Sequence, residues 1–230
     1  MKQQYDTSFY AQRRTRTLPA AKRILGLVQS RIPFTSVADF GCGTGTWLSA
    51  AIELGASKAL GFEGEWLNKD MLDDPRIEIN LGDLEKRVSI PEPVNLAISL
   101  EVAEHLSPAR AETFVDDLCA AAPFVLFSAA VPRQGGKGHI NEQWQSYWAE
   151  KFAARNYQTF DFIRPKIWGD DSIPYWYQQN SLIFAKKDSV LSAKLGDAIF
   201  PKQADLIHRE LFERLESKML SQKLRKIFGR

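Results

Sequence analysis

The chain has 230 residues, 44% of them hydrophobic and 25% charged. Those proportions exclude collagen-like, disulfide-stapled and largely disordered chains and fit one soluble domain of generous size. Thirty Lys and Arg against 28 Asp and Glu leave a formal charge of +2, too balanced for a protein built to hold nucleic acid. The balance is unevenly spread. Residues 201–230 carry four more basic than acidic side chains, so the first 200 residues stand at −2. Two cysteines, Cys42 and Cys119, with no C-x-x-C spacing, point to a reducing, cytoplasmic setting. The longest uncharged apolar-rich stretch, Leu118–Pro132, falls short of the ~20 residues that span a bilayer.

Short apolar runs alternate with helical patterns along the chain, the signature of an α/β sheet. Ser36–Phe40 reads as the first strand, followed by a glycine cluster and a small-residue helix, Trp47–Leu54, which Gly55 closes. Lys58–Glu63 is the second strand, a short helix follows over Glu65–Leu72, and Arg76–Asn80 is a weaker third strand. Val94–Leu100 is a continuous apolar run suited to burial on both faces, and Ser107-Pro108 starts a helix that runs to about Ala122. Phe124–Ala130 is a further buried strand, leading into the glycine-rich loop Val131–Glu142. An amphipathic helix over Gln143–Arg155 precedes strands at Tyr157–Ile163 and Tyr175–Lys186, and Pro201–Arg230 reads as an amphipathic helical tail.

The most informative segment is Val37-Ala38-Asp39-Phe40-Gly41-Cys42-Gly43-Thr44-Gly45-Thr46-Trp47. Alternate glycines behind a buried strand let the backbone turn and approach a ligand at the carboxyl edge of the sheet. The dinucleotide fingerprint needs glycine at position 46, where Thr46 stands, and the Gly-Lys-Ser/Thr of a P-loop is absent. Asp39, ahead of the first glycine, suits a ligand with an ammonium or sulfonium group and opposes a pyrophosphate. Glu63 ends the second strand 18 residues beyond Gly45, where a carboxylate can accept both hydroxyls of a ribose. Asp83, after the third strand, is placed to accept from an adenine amino group.

On these residues the chain resembles the class I S-adenosylmethionine-dependent methyltransferases over about residues 5–186. It is most similar to a bacterial subgroup encoded beside glycosyltransferases and polysaccharide-assembly enzymes. That closer likeness rests on Asp39–Leu48, Ser99-Leu100-Glu101-Val102-Ala103-Glu104-His105-Leu106 and Phe127–Pro132. Gly138–Trp144, Ser146-Tyr147-Trp148 and Trp176–Asn180 extend it. Glu63 stands where the family more often has Asp, and Gln178 where Arg is expected. The resemblance implies a Rossmann-like, seven-stranded, mostly parallel sheet whose last strand is antiparallel, with helices on both faces. It implies S-adenosylmethionine over strands one to three, held by Asp39, Gly41, Gly43, Gly45, Glu63, Asp83, Leu84 and Ser99. The methyltransferase domain then covers 1–188, with residues 1–30 as a helical lid to which Tyr10 and Arg13 belong. Residues 189–230 form a basic amphipathic tail.

Methyl transfer from a sulfonium needs an aligned nucleophile and a proton acceptor. An alcohol is a poor nucleophile at neutral pH, so a base or a metal is expected. His105 and His139 fall in the loops after strands four and five, on the acceptor side. The expected general base is His139, in Gly135-Gly136-Lys137-Gly138-His139, with Glu101 and His105 in support. The expected reaction is O-methylation of a sugar, glycan precursor or other small polar metabolite, and no metal is assigned. Glu101-x-x-Glu104-His105 leaves open an alternative, a metal-assisted O-methyltransferase of an aromatic or quinone substrate. An RNA methyltransferase is less favoured, because no RNA-binding module or basic body accompanies the motif. Trp144, Tyr147 and Trp148 fit either an aromatic wall for a sugar ring or core packing. The tail helix suits a homodimer mate, a partner enzyme or an anionic membrane surface, and equally its own domain.

Overall fold

The computed structural model describes the backbone of residues 7–228 and the side chains of residues 15–223. Seven strands form one sheet: β1 (Ser36–Phe40), β2 (Lys58–Glu63), β3 (Glu78–Leu81), β4 (Leu96–Leu100), β5 (Phe124–Ser128), β6 (Tyr157–Phe160) and β7 (Leu182–Lys186). Their order across the sheet is β3-β2-β1-β4-β5-β7-β6. All neighbours are parallel except β7, which runs antiparallel to both β5 and β6.

Among the described residues, seven α-helices connect and flank the strands. They are α1 (Thr7–Gln29), α2 (Thr46–Glu53), α3 (Ala111–Ala121), α4 (Gln145–Ala153), α5 (Arg164–Ile167), α6 (Tyr175–Asn180) and α7 (Arg209–Phe228). Every residue of β4 and β5 is buried, as strands covered on both faces require. Successive residues of the central strands feed opposite cores, as the two-residue period of a strand dictates. Val37, Leu96, Ile98 and Leu126 join Ala21, Ile24, Leu25 and Val28 of α1 on one face. Ala38, Ala97, Val125 and Phe127 join Phe114 and Leu118 of α3 and Trp148 and Phe152 of α4 on the other.

Gly55 (φ 103°) ends α2 with its N–H on Ile52 O at 3.0 Å, while Ala56 N–H reaches Ala51 O at 3.0 Å. That paired closure is the Schellman arrangement, and it returns the chain directly into β2.

The strand expected over Tyr175–Lys186 is shorter. Its first half is helix α6, and only Leu182–Lys186 is strand. The Tyr-Trp-Tyr start favours a strand locally, but Pro174 leads into a turn in which Tyr177 N–H and Gln178 N–H both bond Pro174 O. The helix expected over Glu65–Leu72 is reduced to one 3₁₀ turn, Lys69–Met71. The tail helix begins at Arg209, and before it Pro201–Gln203 forms a separate 3₁₀ turn.

The segment between β7 and α7 packs on the sheet. Ile199 bridges Thr159 of β6, Ala204 is fully buried, and Arg164 donates to Ala204 O at 2.7 Å. Leu211 of α7 is buried with Val131 and Tyr175. Among the described residues, no helix is long and apolar enough to cross a membrane. The side chains of Tyr10 and Arg13 lie outside the described residues.

Candidate active site

The sheet order reverses direction at β1 and β4, and the loops leaving the carboxyl ends of the two strands diverge there. Open α/β sheets bind ligands at such a crevice. Every site residue expected from the sequence lies at or near the carboxyl end of one of the five strands β1 to β5.

The turn after β1 is built as the glycine pattern requires. Gly41, Gly43 and Gly45 all have positive φ (90°, 57° and 84°). At Gly41 a Cβ would stand 2.4 Å from Val102 Cγ2, so the residue after Glu101 on the β4 loop closes directly over the turn. Glu63 fastens the other side. Its Oε2 accepts from Gly43 N–H at 2.7 Å, and its Oε1 accepts from Gly64 N–H at 2.8 Å and Trp66 Nε1–H at 3.2 Å.

Asp39 is buried to 2% exposure, and no hydrogen bond reaches its Oδ2. Burial holds its carboxyl well above the usual carboxylate range, and the charge of Glu63 adds to the rise. Burial raises Glu63 as well, against the opposing hydrogen bonds from Gly64, Gly43 and Trp66. Ser99, at the end of β4, is fully buried with no hydrogen bond to its Oγ. Two carboxylates at a glycine turn, one of them without a hydrogen bond on Oδ2, form a polar setting that a cationic ligand would compensate. Glu63, Asp83 and Leu84 line a separate cavity of about 380 Å³ beyond β2 and β3. Asp83 is exposed, and its Oδ1 accepts from Glu85 N–H at 3.1 Å.

On the other side of the crevice, a cavity of about 640 Å³ is lined by Glu101, Glu104, His105, Gln134, His139 and Trp176, together with Arg16, Lys137 and Arg214. Glu101 has φ 56°, a left-handed conformation uncommon outside glycine and found at sites where the surroundings enforce it. Its backbone N–H bonds Ser128 O at 3.0 Å. The carboxylate accepts from Gln134 Nε2 at 2.8 Å and Asn180 Nδ2 at 3.1 Å. Burial raises its pKa, while the Asn180, Ser128 and Gln134 hydrogen bonds and His139 pull it down.

His105 and His139 meet edge to face, their ring centres 4.8 Å apart. His105 Nδ1 lies 3.2 Å from Gly138 O, and His139 Nδ1 lies 2.9 Å from Glu142 Oε1. Both acceptors lack a proton to give, so each ring donates from Nδ1 and turns Nε2 away from that bond. His139 Nε2 lies 4.0 Å from the buried Glu104 Oε1. One ligand atom from each of Glu104, His105 and His139 falls within 4.8 Å of the others.

Several residues considered in the sequence stand elsewhere. Trp148 is a core residue against Phe127, and Trp144 is exposed outside the cavity that holds His139. Tyr177 packs edge-on against Trp47. Gln178 clamps its own loop, accepting from Gly169 N–H at 2.7 Å and donating to Ile173 O at 2.6 Å. The sequence reading passed over Glu142, Gln134 and Arg214 as site residues. Glu142 is recognisable as the polar residue three beyond His139, but Gln134 and Arg214 carry no local signal.

No protein-family model matches this chain, and no curated protein matches it. Solved structures share its fold. DesVI from Streptomyces venezuelae is 16% identical with a TM-score of 0.59, over 80% of this chain and all of that one. A TehB-like S-adenosylmethionine-dependent methyltransferase from Corynebacterium glutamicum is 21% identical with a TM-score of 0.52, over 79% of this chain and 98% of that one. The magnesium protoporphyrin IX methyltransferase of Synechocystis, solved with S-adenosylmethionine bound, is 16% identical with a TM-score of 0.51, over 75% of this chain and 79% of that one. The chain therefore has the Rossmann-like fold of the class I S-adenosylmethionine-dependent methyltransferases, with a C-terminal helix added.

Proposed function

We propose that this chain is an S-adenosylmethionine-dependent methyltransferase that methylates a hydroxyl of a small polar acceptor, a saccharide or glycan precursor. The observation that carries the reading is Asp39, a buried carboxylate without a hydrogen bond on Oδ2, set at the glycine turn and near a second raised carboxylate, Glu63. A sulfonium with an attached ammonium supplies the compensating charge. Bound there, the cofactor supplies an activated methyl group. Asp39, Glu63, the turn, Asp83 and Leu84 would hold it, and the cavity lined by Glu101 and His139 would take the acceptor.

His139 Nε2 removes the hydroxyl proton as the oxygen attacks, and Glu142 on Nδ1 fixes the tautomer that makes this lone pair available. Glu101 accepts from a further acceptor hydroxyl, and Glu104, buried beside His139, stabilises the imidazolium that forms. The test is mass spectrometry of a panel of polyols and sugars incubated with the cofactor. Addition of one methyl group abolished in His139→Ala supports the reading. No methylated product, or an undiminished product from that variant, contradicts it.

One observation favours a second reading, metal-assisted transfer to an aromatic or quinone hydroxyl. Two imidazoles with proton-bearing Nδ1 atoms and one buried carboxylate are the donor chemistry of a divalent-cation site with its supporting shell in place. Glu104, His105 and His139 would hold the ion, which when bound supplies a Lewis acid that acidifies the hydroxyl. His105→Ala separates the two. The metal-free reading predicts a loss of about tenfold or less, and the metal reading predicts loss of bound metal together with activity.

A further inference from the structure

The rim of the acceptor cavity carries charge opposite to that of its interior. Glu104 is fully buried and Glu101 and His139 are half-buried, whereas Arg16, Lys137 and Arg214 are exposed at the same cavity. These three cations come from three separate elements: α1, the loop after β5, and α7. Arg214 is fixed in direction, with Nη1 donating to Tyr175 Oη at 2.8 Å and the guanidinium 5.6 Å from that ring's centre. Leu211, one turn earlier, is buried against Tyr175 and holds α7 at this edge.

We propose that the acceptor carries a phosphoryl group, and that Arg16, Lys137 and Arg214 hold it at the cavity mouth while a hydroxyl of the same molecule reaches His139. Three cations lining one cavity, two of them guanidiniums, match the several oxygens of a phosphoryl dianion better than a single carboxylate does. The interior carboxylates Glu101 and Glu104 repel the same anion, so one orientation is imposed: phosphoryl outward, hydroxyl inward. The C-terminal helix thereby becomes part of the acceptor site. The proposal rests on the methyltransferase reading of the same cavity and names its substrate class.

The direct probe is inorganic phosphate, titrated calorimetrically into the full chain. One-site binding is expected, weakened about tenfold or more in Arg214→Gln and in Arg16→Gln and largely kept in Arg214→Lys. Because the cations are exposed, affinity falls as ionic strength rises. Circular dichroism confirms that each variant is folded. In the product assay, phosphorylated polyols are expected to be methylated in preference to their dephosphorylated forms. Absence of phosphate binding, equal binding by the glutamine variants, or tighter binding of succinate than of phosphate overturns the proposal. S-adenosylmethionine is titrated separately. Normal cofactor binding with no phosphate binding overturns this inference alone, whereas no cofactor binding overturns the methyltransferase reading as well.

Discussion

His139 and Glu142 are bonded Nδ1 to Oε1 at 2.9 Å, three residues apart in a loop that the same carboxylate ties together. Glu142 also accepts from Arg133 N–H at 2.8 Å and Gly135 N–H at 2.7 Å. One side chain thus shapes the loop and sets the tautomer of the expected base. Glu142→Gln keeps its size but weakens the acceptor, and an orienting partner of this kind is worth about 10–100-fold. We expect kcat to fall by about tenfold or more with S-adenosylmethionine affinity unchanged. Steady-state kinetics beside calorimetry checks this, and an unchanged kcat would assign Glu142 to the loop alone.

Gly136 lies so close to the ring that a Cβ there would stand 2.0 Å from His139 Nε2. Gly136→Ala must therefore displace either the loop or the imidazole, while the sheet below is untouched. The expected outcome is a loss of activity approaching that of His139→Ala, with a melting temperature within a few degrees of the parent. A fully active Gly136→Ala enzyme would show that Nε2 takes no part in the chemistry.

Gly41 tests the cofactor turn. With φ 90° and a Cβ position 2.4 Å from Val102 Cγ2, Gly41→Ala adds both backbone strain and overlap. A destabilisation of about 2–4 kcal/mol is expected by urea denaturation. Adding Val102→Ala should recover the overlap and leave the strain, so the double variant lies between. A double variant no better than the single would put the whole cost in the backbone.

These positions show what the sequence alone makes readable. The Asp39–Gly45 turn, Glu63 and the buried runs of β4 and β5 are local patterns, and each is seen where its pattern puts it. Glu101-x-x-Glu104-His105 is also legible, but its third partner, His139, is 34 residues on and joins it only because β4 and β5 are neighbours. Gln134 and Asn180 on Glu101, and Arg214 on Tyr175, depend on contacts across 33, 79 and 39 residues. The helix at Tyr175–Asn180 wins over its strand-like composition because Gln178, Gln179 and Asn180 are all buried and all hydrogen-bonded, a tertiary effect that no window of residues contains.

Asp39 gives a prediction in pH. Its folded-state pKa is raised, so between the unfolded and folded values the folded state binds the extra proton. Raising the pH through that window removes stability, because ionising the buried carboxyl costs more than ionising it in the unfolded chain. Asp39→Asn should therefore be more stable than the parent at pH 8 by about 1–3 kcal/mol, with the gap closing toward pH 4. Urea denaturation across that range measures it. A variant less stable at pH 8 would mean that the carboxylate is compensated within the fold.

The same substitution reverses sign toward the ligand, and this makes the most direct test. Calorimetric titration of S-adenosylmethionine into the full chain should show one-to-one binding, with Asp39→Asn binding about tenfold or more weakly despite its greater stability. No binding by the parent, or equal binding by the two proteins, would contradict the cofactor site and the methyltransferase reading built on it.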